Sequence, residues 1–159
     1  MSTRLKHDLT YAAPLADVRA MLDDRAYREQ VLAAQRNQRS SVEIEVGDGT
    51  TTVVLDQVQR TDSIPSFARK FTGAELNIVQ REIWMSTAYA ELHVAIPGRP
   101  GQMVGSITLA EDGGVTTETV DVEITVPVPL VGGKIEKLIA DFLRKALVVE
   151  ERVARAYLG

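Results

Sequence analysis

Cysteine is absent from this 159-residue chain. Its absence excludes disulfides, a thiol nucleophile and metal sites built on thiolate ligands. Histidine is almost as scarce, and His7 and His93 fall on opposite faces of different predicted strands, so they do not form a typical zinc site. The Gly-rich phosphate loop, the Gly-x-Ser-x-Gly elbow and the His-Glu-x-x-His pair are missing as well. We therefore expect no metal and no cofactor.

Long apolar runs and an excess of positive charge are also missing. No segment approaches the roughly 18 consecutive apolar residues of a membrane-spanning helix, and residues 1–8 lack the apolar core of a signal peptide. Lys and Arg number 18 against 22 Asp and Glu, the opposite of the basic surface that nucleic-acid binding usually shows. We expect a cytoplasmic protein with no nucleic-acid partner and no stable membrane insertion.

What is present is the composition of an ordinary globular protein, with 45% hydrophobic and 25% charged residues. Alternation of apolar and polar residues predicts seven strands. Turn signals between neighbouring runs, such as Gly47-Asp48-Gly49, predict hairpins and hence an antiparallel sheet. The predicted strands are residues 4–11, 41–46, 51–58, 74–85, 88–96, 103–109 and 115–126.

Helical spacing dominates the end of the chain. Residues 134–158 contain neither Gly nor Pro and repeat apolar side chains at spacings of three, four or seven. At about 1.5 Å per residue this helix is roughly 35–40 Å long, and only the sheet is large enough to cover its apolar face. We predict an α+β fold, one domain over residues 1–159, in which a curved antiparallel sheet wraps around the long C-terminal helix. Shorter helices are predicted at residues 14–22, 25–35 and 66–71.

Four short motifs stand out: residues 69–71 (Arg-Lys-Phe), 80–84 (Gln-Arg-Glu-Ile-Trp), 97–101 (Pro-Gly-Arg-Pro-Gly) and the more specific 126–139 (Val-Pro-Val-Pro-Leu-Val-Gly-Gly-Lys-Ile-Glu-Lys-Leu-Ile). With them, the order of elements resembles the helix-grip, or START-like, fold of the polyketide cyclase and plant-allergen superfamily. Within it, the whole chain resembles a family of uncharacterised actinobacterial proteins, the domain of unknown function 2505. The resemblance implies this fold and a cavity between sheet and terminal helix. It implies no particular activity, because the fold serves carriers, receptors and enzymes.

A cavity in that place would be mostly apolar, with a few polar groups that orient a ligand, as small-molecule sites usually are. The alternative is that the same side chains simply fill the core. We predict that a ligand is contacted by His7, Leu9, Gln80, Glu82, Trp84, Ile107, Val122, Ile124, Leu138 and Phe142.

For two of these side chains, His7 and Glu82, the sequence leaves open whether they act on a ligand or only stabilise the structure. Alternation places His7 on the inward face with Leu9, where an imidazole either contacts a ligand, as orienting group or general base, or is bonded to a neighbour in the core. Glu82 shares a face with Gln80 and Trp84, but the opposite face of the strand is apolar too. Glu82 is therefore either a buried carboxylate, whose pKa rises unless it is paired, or part of an exposed ion pair.

Three functions compete at this point. The first is binding of a small hydrophobic molecule that is lipid-, sterol- or polyketide-like. The second is a cyclase or dehydratase type of enzyme with Glu82 or His7 as general base. The third is an interaction subunit, a homodimer that uses Phe67, Phe71 and the basic residues between them.

Overall fold

The computed structural model describes residues 2–159, and within them the main element is one antiparallel sheet. Its seven strands are neighbours in the order β1-β7-β6-β5-β4-β3-β2, so every neighbouring pair except β1–β7 joins strands that are consecutive in the chain. The strands are β1 (Thr3–Tyr11), β2 (Arg39–Val46), β3 (Thr51–Arg60), β4 (Glu75–Ser86), β5 (Tyr89–Ala95), β6 (Gln102–Asp112) and β7 (Val115–Thr125).

Four helices complete the described part of the chain. The element order, with two short helices after the first strand and a long one at the end, confirms the predicted helix-grip fold. The helices are α1 (Leu15–Leu22), α2 (Arg25–Ala34), α3 (Ser66–Thr72) and α4 (Gly132–Leu158). None of the helices in residues 2–159 is both long and apolar enough to cross a bilayer.

Local chemistry explains where the short helices begin and end. Pro14 precedes α1, a position where its missing N–H is tolerated. The Asp24 carboxylate accepts a hydrogen bond from the Ala26 N–H at 2.9 Å and so caps α2. Gly73 ends α3 with a φ of 74°, a conformation that glycine adopts without strain.

The centre of the sheet depends on a glycine in β6. Gly105 lies opposite Leu92 on one side and Val122 on the other. A Cβ added there would lie 1.8 Å from the Asp121 carbonyl oxygen and 2.7 Å from the Val122 Cα. Strands β6 and β7 therefore approach each other more closely than any side chain at this position would allow.

Helix α4 packs along β1 and is fixed to it near both of its ends. In its first turns the buried Glu136 accepts hydrogen bonds from the Thr3 hydroxyl and from the Val126 N–H, both at 2.9 Å. Near its C-terminus Glu151 accepts from the Thr10 N–H at 2.8 Å. At the start of the helix, a Cβ on Gly132 would lie 2.4 Å from the Val126 carbonyl oxygen, so a close backbone approach requires this glycine.

Candidate functional site

The sheet and α4 enclose a cavity. The centres of water molecules can occupy about 120 Å³ of its interior. A single water needs roughly 10–15 Å³ of such space. The interior is therefore hollow, and the interpretation of a completely filled core is wrong. Its apolar walls include Leu5, Leu76, Ile78, Leu92, Val94, Met103, Ile107, Val120, Val122, Ile135, Leu138, Phe142, Leu143 and Leu147. Its polar side chains are Gln35, Gln57, Gln59, Thr72, Gln80, Glu82, Glu118 and Glu150.

Six of the ten predicted ligand-contacting residues line this cavity. They come from strands β4, β6 and β7 and from the N-terminal half of α4, and the fold brings the sheet and this helix face to face. These residues are Gln80 and Glu82 on β4, Ile107 on β6, Val122 on β7, and Leu138 and Phe142 on α4.

The other four predicted residues lie outside the cavity wall. On β1, along which α4 packs, Leu9 is fully buried and His7 is half-buried, and neither lines the cavity, whereas Leu5 of the same strand does. Trp84 is buried behind Glu82 and reaches the site only through its indole N–H. Ile124 faces a separate, much smaller space. Ligand contact by these four side chains stays a prediction.

A buried ion pair forms one part of the polar end of the cavity. Glu82 is 1% exposed, and its two carboxylate oxygens accept hydrogen bonds from the Arg28 guanidinium at 2.7 and 3.0 Å. The same carboxylate accepts from the Gln80 amide at 2.8 Å and from the Trp84 indole at 3.0 Å. The remaining Arg28 nitrogen, Nε, donates to the Leu22 carbonyl at 2.8 Å. Each oxygen and nitrogen of this pair is thus engaged within the protein.

The charge of Arg28 keeps Glu82 ionised. Burial alone would raise the pKa of Glu82, but the Arg28 charge and the hydrogen bonds from Arg28, Trp84 and Gln80 outweigh it and lower the pKa. Burial alone would lower the pKa of Arg28, but the Glu82 carboxylate outweighs this effect, and the pKa of Arg28 is raised. Of the two predicted environments for Glu82, the buried and paired one is therefore correct. A carboxylate held in this way is poorly suited to serve as a general base.

A second set of carboxylates lies in the same polar end and forms no ion pair within residues 2–159. Glu118 on β7 is 2% exposed and accepts a hydrogen bond from the Tyr11 hydroxyl at 3.0 Å. Burial, reinforced by the negative charges of Glu150 and Glu82, raises the pKa of Glu118 to about 8. Burial also raises the pKa of Glu150 on α4 to about 7, with Glu82 adding to the effect and Arg28 opposing it. Both carboxyl groups can therefore change protonation near neutral pH.

A tyrosine hydroxyl beside these carboxylates is left without a partner. Tyr27 on α2 is fully buried, and no hydrogen bond to its hydroxyl is formed by residues 2–159. Burial raises the pKa of Tyr27, and the negative charges of Glu150 and Glu118 raise it further. A buried hydroxyl without a partner is costly, but Tyr27 is not among the residues that line the cavity.

Sequence reasoning missed Arg28, Glu118 and Glu150, although the spacing of each contained a signal. Arg28 precedes the apolar Leu32 by four residues and so shares the buried face of its helix. Glu118 precedes Val120 by two and lies on the inward face of its strand. Glu150 follows the cavity residue Leu143 by seven. Charged residues at apolar positions of a periodic pattern were the available clue.

Comparison with curated proteins finds relatives that are uncharacterised. The uncharacterized proteins Rv0481c of Mycobacterium tuberculosis and Mb0491c of Mycobacterium bovis are each 29% identical to this chain over 118 residues. The match covers 70% of this chain and 67% of each relative.

Solved structures share the fold at low sequence identity. The di-domain ARO/CYC StfQ from the steffimycin biosynthetic pathway has a TM-score of 0.69 at 12% identity, with 98% of this chain covering 50% of that one. TTHA0849 from Thermus thermophilus has a TM-score of 0.62 at 16% identity, covering 97% and 99% of the two chains. Norcoclaurine synthase from Thalictrum flavum, solved in complex with dopamine and hydroxybenzaldehyde, has a TM-score of 0.60 at 15% identity, covering 97% and 87%.

The family assignment rests on nearly the whole chain. Residues 6–158 match the family described as protein of unknown function (DUF2505), and the fold is that of the START-like structures just named. The match includes every strand and helix, apart from the first residues of β1. The chain therefore belongs to the DUF2505 family, with a helix-grip fold.

Proposed function

We propose that the protein binds a small, mainly hydrophobic molecule of lipid, sterol or polyketide type in the cavity between sheet and helix. The observation that carries the proposal is a hollow interior with mainly apolar walls and a few polar side chains, among them Glu118 and Glu150. Empty apolar space of this kind forfeits packing contacts, and a molecule of matching shape would restore them.

The arrangement of the polar end supports a bound molecule with a defined orientation. Glu118 and Glu150 lie at one region of the wall, while Leu138, Phe142 and Ile96 line it elsewhere. A ligand with one polar group and an apolar body would place its polar group near the carboxylates and its apolar body against the apolar wall. The norcoclaurine synthase structure, with two small molecules bound, is a precedent for ligand binding by a protein of this fold.

Filling the cavity from the helix side tests the proposal. Ala146 is a small cavity residue on α4, and Ala146→Phe would place a ring in the ligand space. Titration with Nile red, an uncharged fluorescent dye, should show saturable binding to the unmodified protein. The affinity should fall at least about ten-fold in Ala146→Phe, since a contact region worth about 1.4 kcal/mol or more is lost.

A matched substitution on the same helix serves as control. Val148 is 53% exposed and lies outside the cavity wall, so Val148→Phe should bind the dye like the unmodified protein. No saturable binding to the unmodified protein, or equal affinities of the two phenylalanine variants, would contradict binding in this cavity. Circular dichroism should show that both variants keep the native helix content.

A further inference from the structure

We propose, on the basis of the ligand-binding function above, that the cavity is selective for a cationic amine carried on an apolar body and discriminates against carboxylate ligands. The charges at the polar end support this choice. Its guanidinium, from Arg28, is bonded on both sides by Glu82 and Leu22. The charged groups that line the cavity beyond this pair are Glu118 and Glu150. A ligand therefore meets uncompensated negative charge when these groups are ionised.

Two of the four glutamines that line the cavity, Gln35 and Gln80, favour a donor ligand as well. The Gln80 amide nitrogen donates to the Glu82 carboxylate at 2.8 Å, and the Gln35 amide nitrogen donates to the Ala146 carbonyl at 3.0 Å. Both partners are pure acceptors, which fixes the orientation of each amide. No described residue donates to the carbonyl oxygen of either glutamine, so each cavity-lining side chain offers an acceptor.

The head group that fits these acceptors is an ammonium ion. An ammonium group brings three N–H donors and no acceptor, so it matches the two carboxylates and the two amide carbonyl oxygens of the cavity wall.

A ligand carboxylate would find the opposite conditions. Arg28 is 3% exposed, is not part of the cavity wall and has all of its nitrogens bonded. A fatty acid head group placed beside Glu118 and Glu150 would meet no cation among the residues that line the cavity. Like charges in a poorly hydrated site repel strongly, so such a ligand would bind only with a proton taken up by one of the carboxyl groups.

Protonation of the site gives the proposal a pH signature. The titratable groups that face Glu118 and Glu150 are Tyr11 from β1, Tyr27 and Arg28 from α2, and Glu82 from β4. Arg19 from α1 stacks on Trp84 and is paired with Asp23. With pKa values of about 7 and about 8 for Glu150 and Glu118, the empty site releases protons as the pH rises past neutral. An amine binds the ionised form, so its affinity should rise over the same interval.

Three probes with the same apolar chain test the selectivity: decylamine, decanol and decanoate, each displacing Nile red below its micelle concentration. At pH 8 the order of affinity should be amine, alcohol, carboxylate. Between pH 6 and pH 8 the affinity for decylamine should rise about ten-fold, as expected when binding requires one group of pKa near 7 to be ionised. The affinity for decanol should stay constant.

Variants separate the role of the carboxylates from that of the cavity. Glu118→Gln combined with Glu150→Gln should abolish the preference for amine over alcohol and the pH dependence, while decanol still binds. Glu123→Gln, at an exposed position of the same strand, should leave both unchanged. If none of the three probes displaces the dye, the ligand-binding function itself fails. If they bind with equal affinity, or decanoate binds most tightly, the cavity binds ligands but the amine selectivity is wrong.

Discussion

At the scale of single residues, two kinds of buried carboxylate lie within one polar cluster. Glu82 receives hydrogen bonds from Arg28, Gln80 and Trp84 and stays ionised. Glu118 receives one, from Tyr11, and its pKa rises to about 8. Burial is nearly equal in the two cases, so the number and charge of the donors decide the protonation state.

Removing the charge of Glu82 should destabilise the protein severely. Glu82→Gln leaves the Arg28 guanidinium buried without a counterion, and broken pairs of this kind lose about 3–5 kcal/mol. The free energy of unfolding from urea denaturation measures the loss. Glu75→Gln on the same strand removes an exposed partner of Arg39 and should change stability by less than about 1 kcal/mol. Equal effects of the two substitutions would show that the buried pair has no special weight.

Glu118 and Glu150 should make the empty protein less stable as the pH rises above 5. Their pKa values, about 8 and about 7, lie above the ordinary value of 4.5. The folded state therefore binds more protons than the unfolded state, and stability that is present below about pH 4.5 is lost progressively up to about pH 8.

Chemical denaturation across this pH range measures that effect. We expect the free energy of unfolding to fall by a few kcal/mol between pH 5 and pH 8, and to fall much less in Glu118→Gln combined with Glu150→Gln. The exposed Glu123→Gln should keep the pH dependence of the unmodified protein. A stability that is flat or rises over this range would be incompatible with protonated carboxyl groups in the empty cavity.

For single residues, the sequence predicts which side chains lie near the cavity better than it predicts what those side chains contact. Alternation puts Gln80 and Glu82 on one face of their strand, but the apolar opposite face leaves open which of the two faces points inward. Pairing of Glu82 with Arg28 was not predictable, because the two residues are 54 positions apart and no local pattern links them. Alternation also placed His7 inward, but it could not show that His7 lies outside the cavity wall while Leu5, on the same face, lines it.

At the scale of secondary-structure elements, β6 and β7 are held closer together by Gly105 than an alanine would permit. A Cβ at Gly105 overlaps the backbone of Asp121 and Val122, not a flexible side chain. Gly105→Ala should therefore lower the free energy of unfolding by about 2–3 kcal/mol, as overpacking of a core does. Thermal or urea unfolding measures the change.

A second glycine provides the comparison for this substitution. Gly47, in the turn between β2 and β3, would place a Cβ no closer than 3.6 Å to any neighbouring atom. Gly47→Ala should be nearly neutral. A neutral Gly105→Ala would show that the two strands can separate without loss, so that the glycine is not required for this part of the sheet.

The positions of the helices and strands were more predictable from the sequence than the contacts of single residues. Apolar spacing alone predicted α4, because a helix of 27 residues repeats its pattern many times and a single exception does not hide it. Alternation did the same for the strands. The inner face of β1 was less predictable, since which strand a helix covers depends on side chains from both elements and on the twist of the sheet.

At the scale of the whole molecule, the order of helices and strands was sufficient to predict the fold. The cavity, in contrast, depends on the difference between the volume that the sheet and α4 enclose and the volume that side chains fill. The sheet and α4 enclose more space than Val122, Ile107, Leu138 and their neighbours fill. Such a difference cannot be obtained from a pattern of apolar and polar residues, because filled and hollow cores have the same pattern. The resemblance to helix-grip proteins, not the periodicity, supplied that expectation.

The strand order also determines when each strand can pair during synthesis on the ribosome. Thr3 in β1 lies opposite Ile124 in β7, and β7 is the partner of β1 in the sheet. At a synthesis rate of about 5–20 residues per second, roughly 6–24 s separate the translation of these two residues. During this interval the strands from β2 to β7 can pair in the order of translation, while the N-terminal strand has no partner. Strand β1 is therefore among the last to be incorporated, and closure of the sheet waits until β7 has been synthesised.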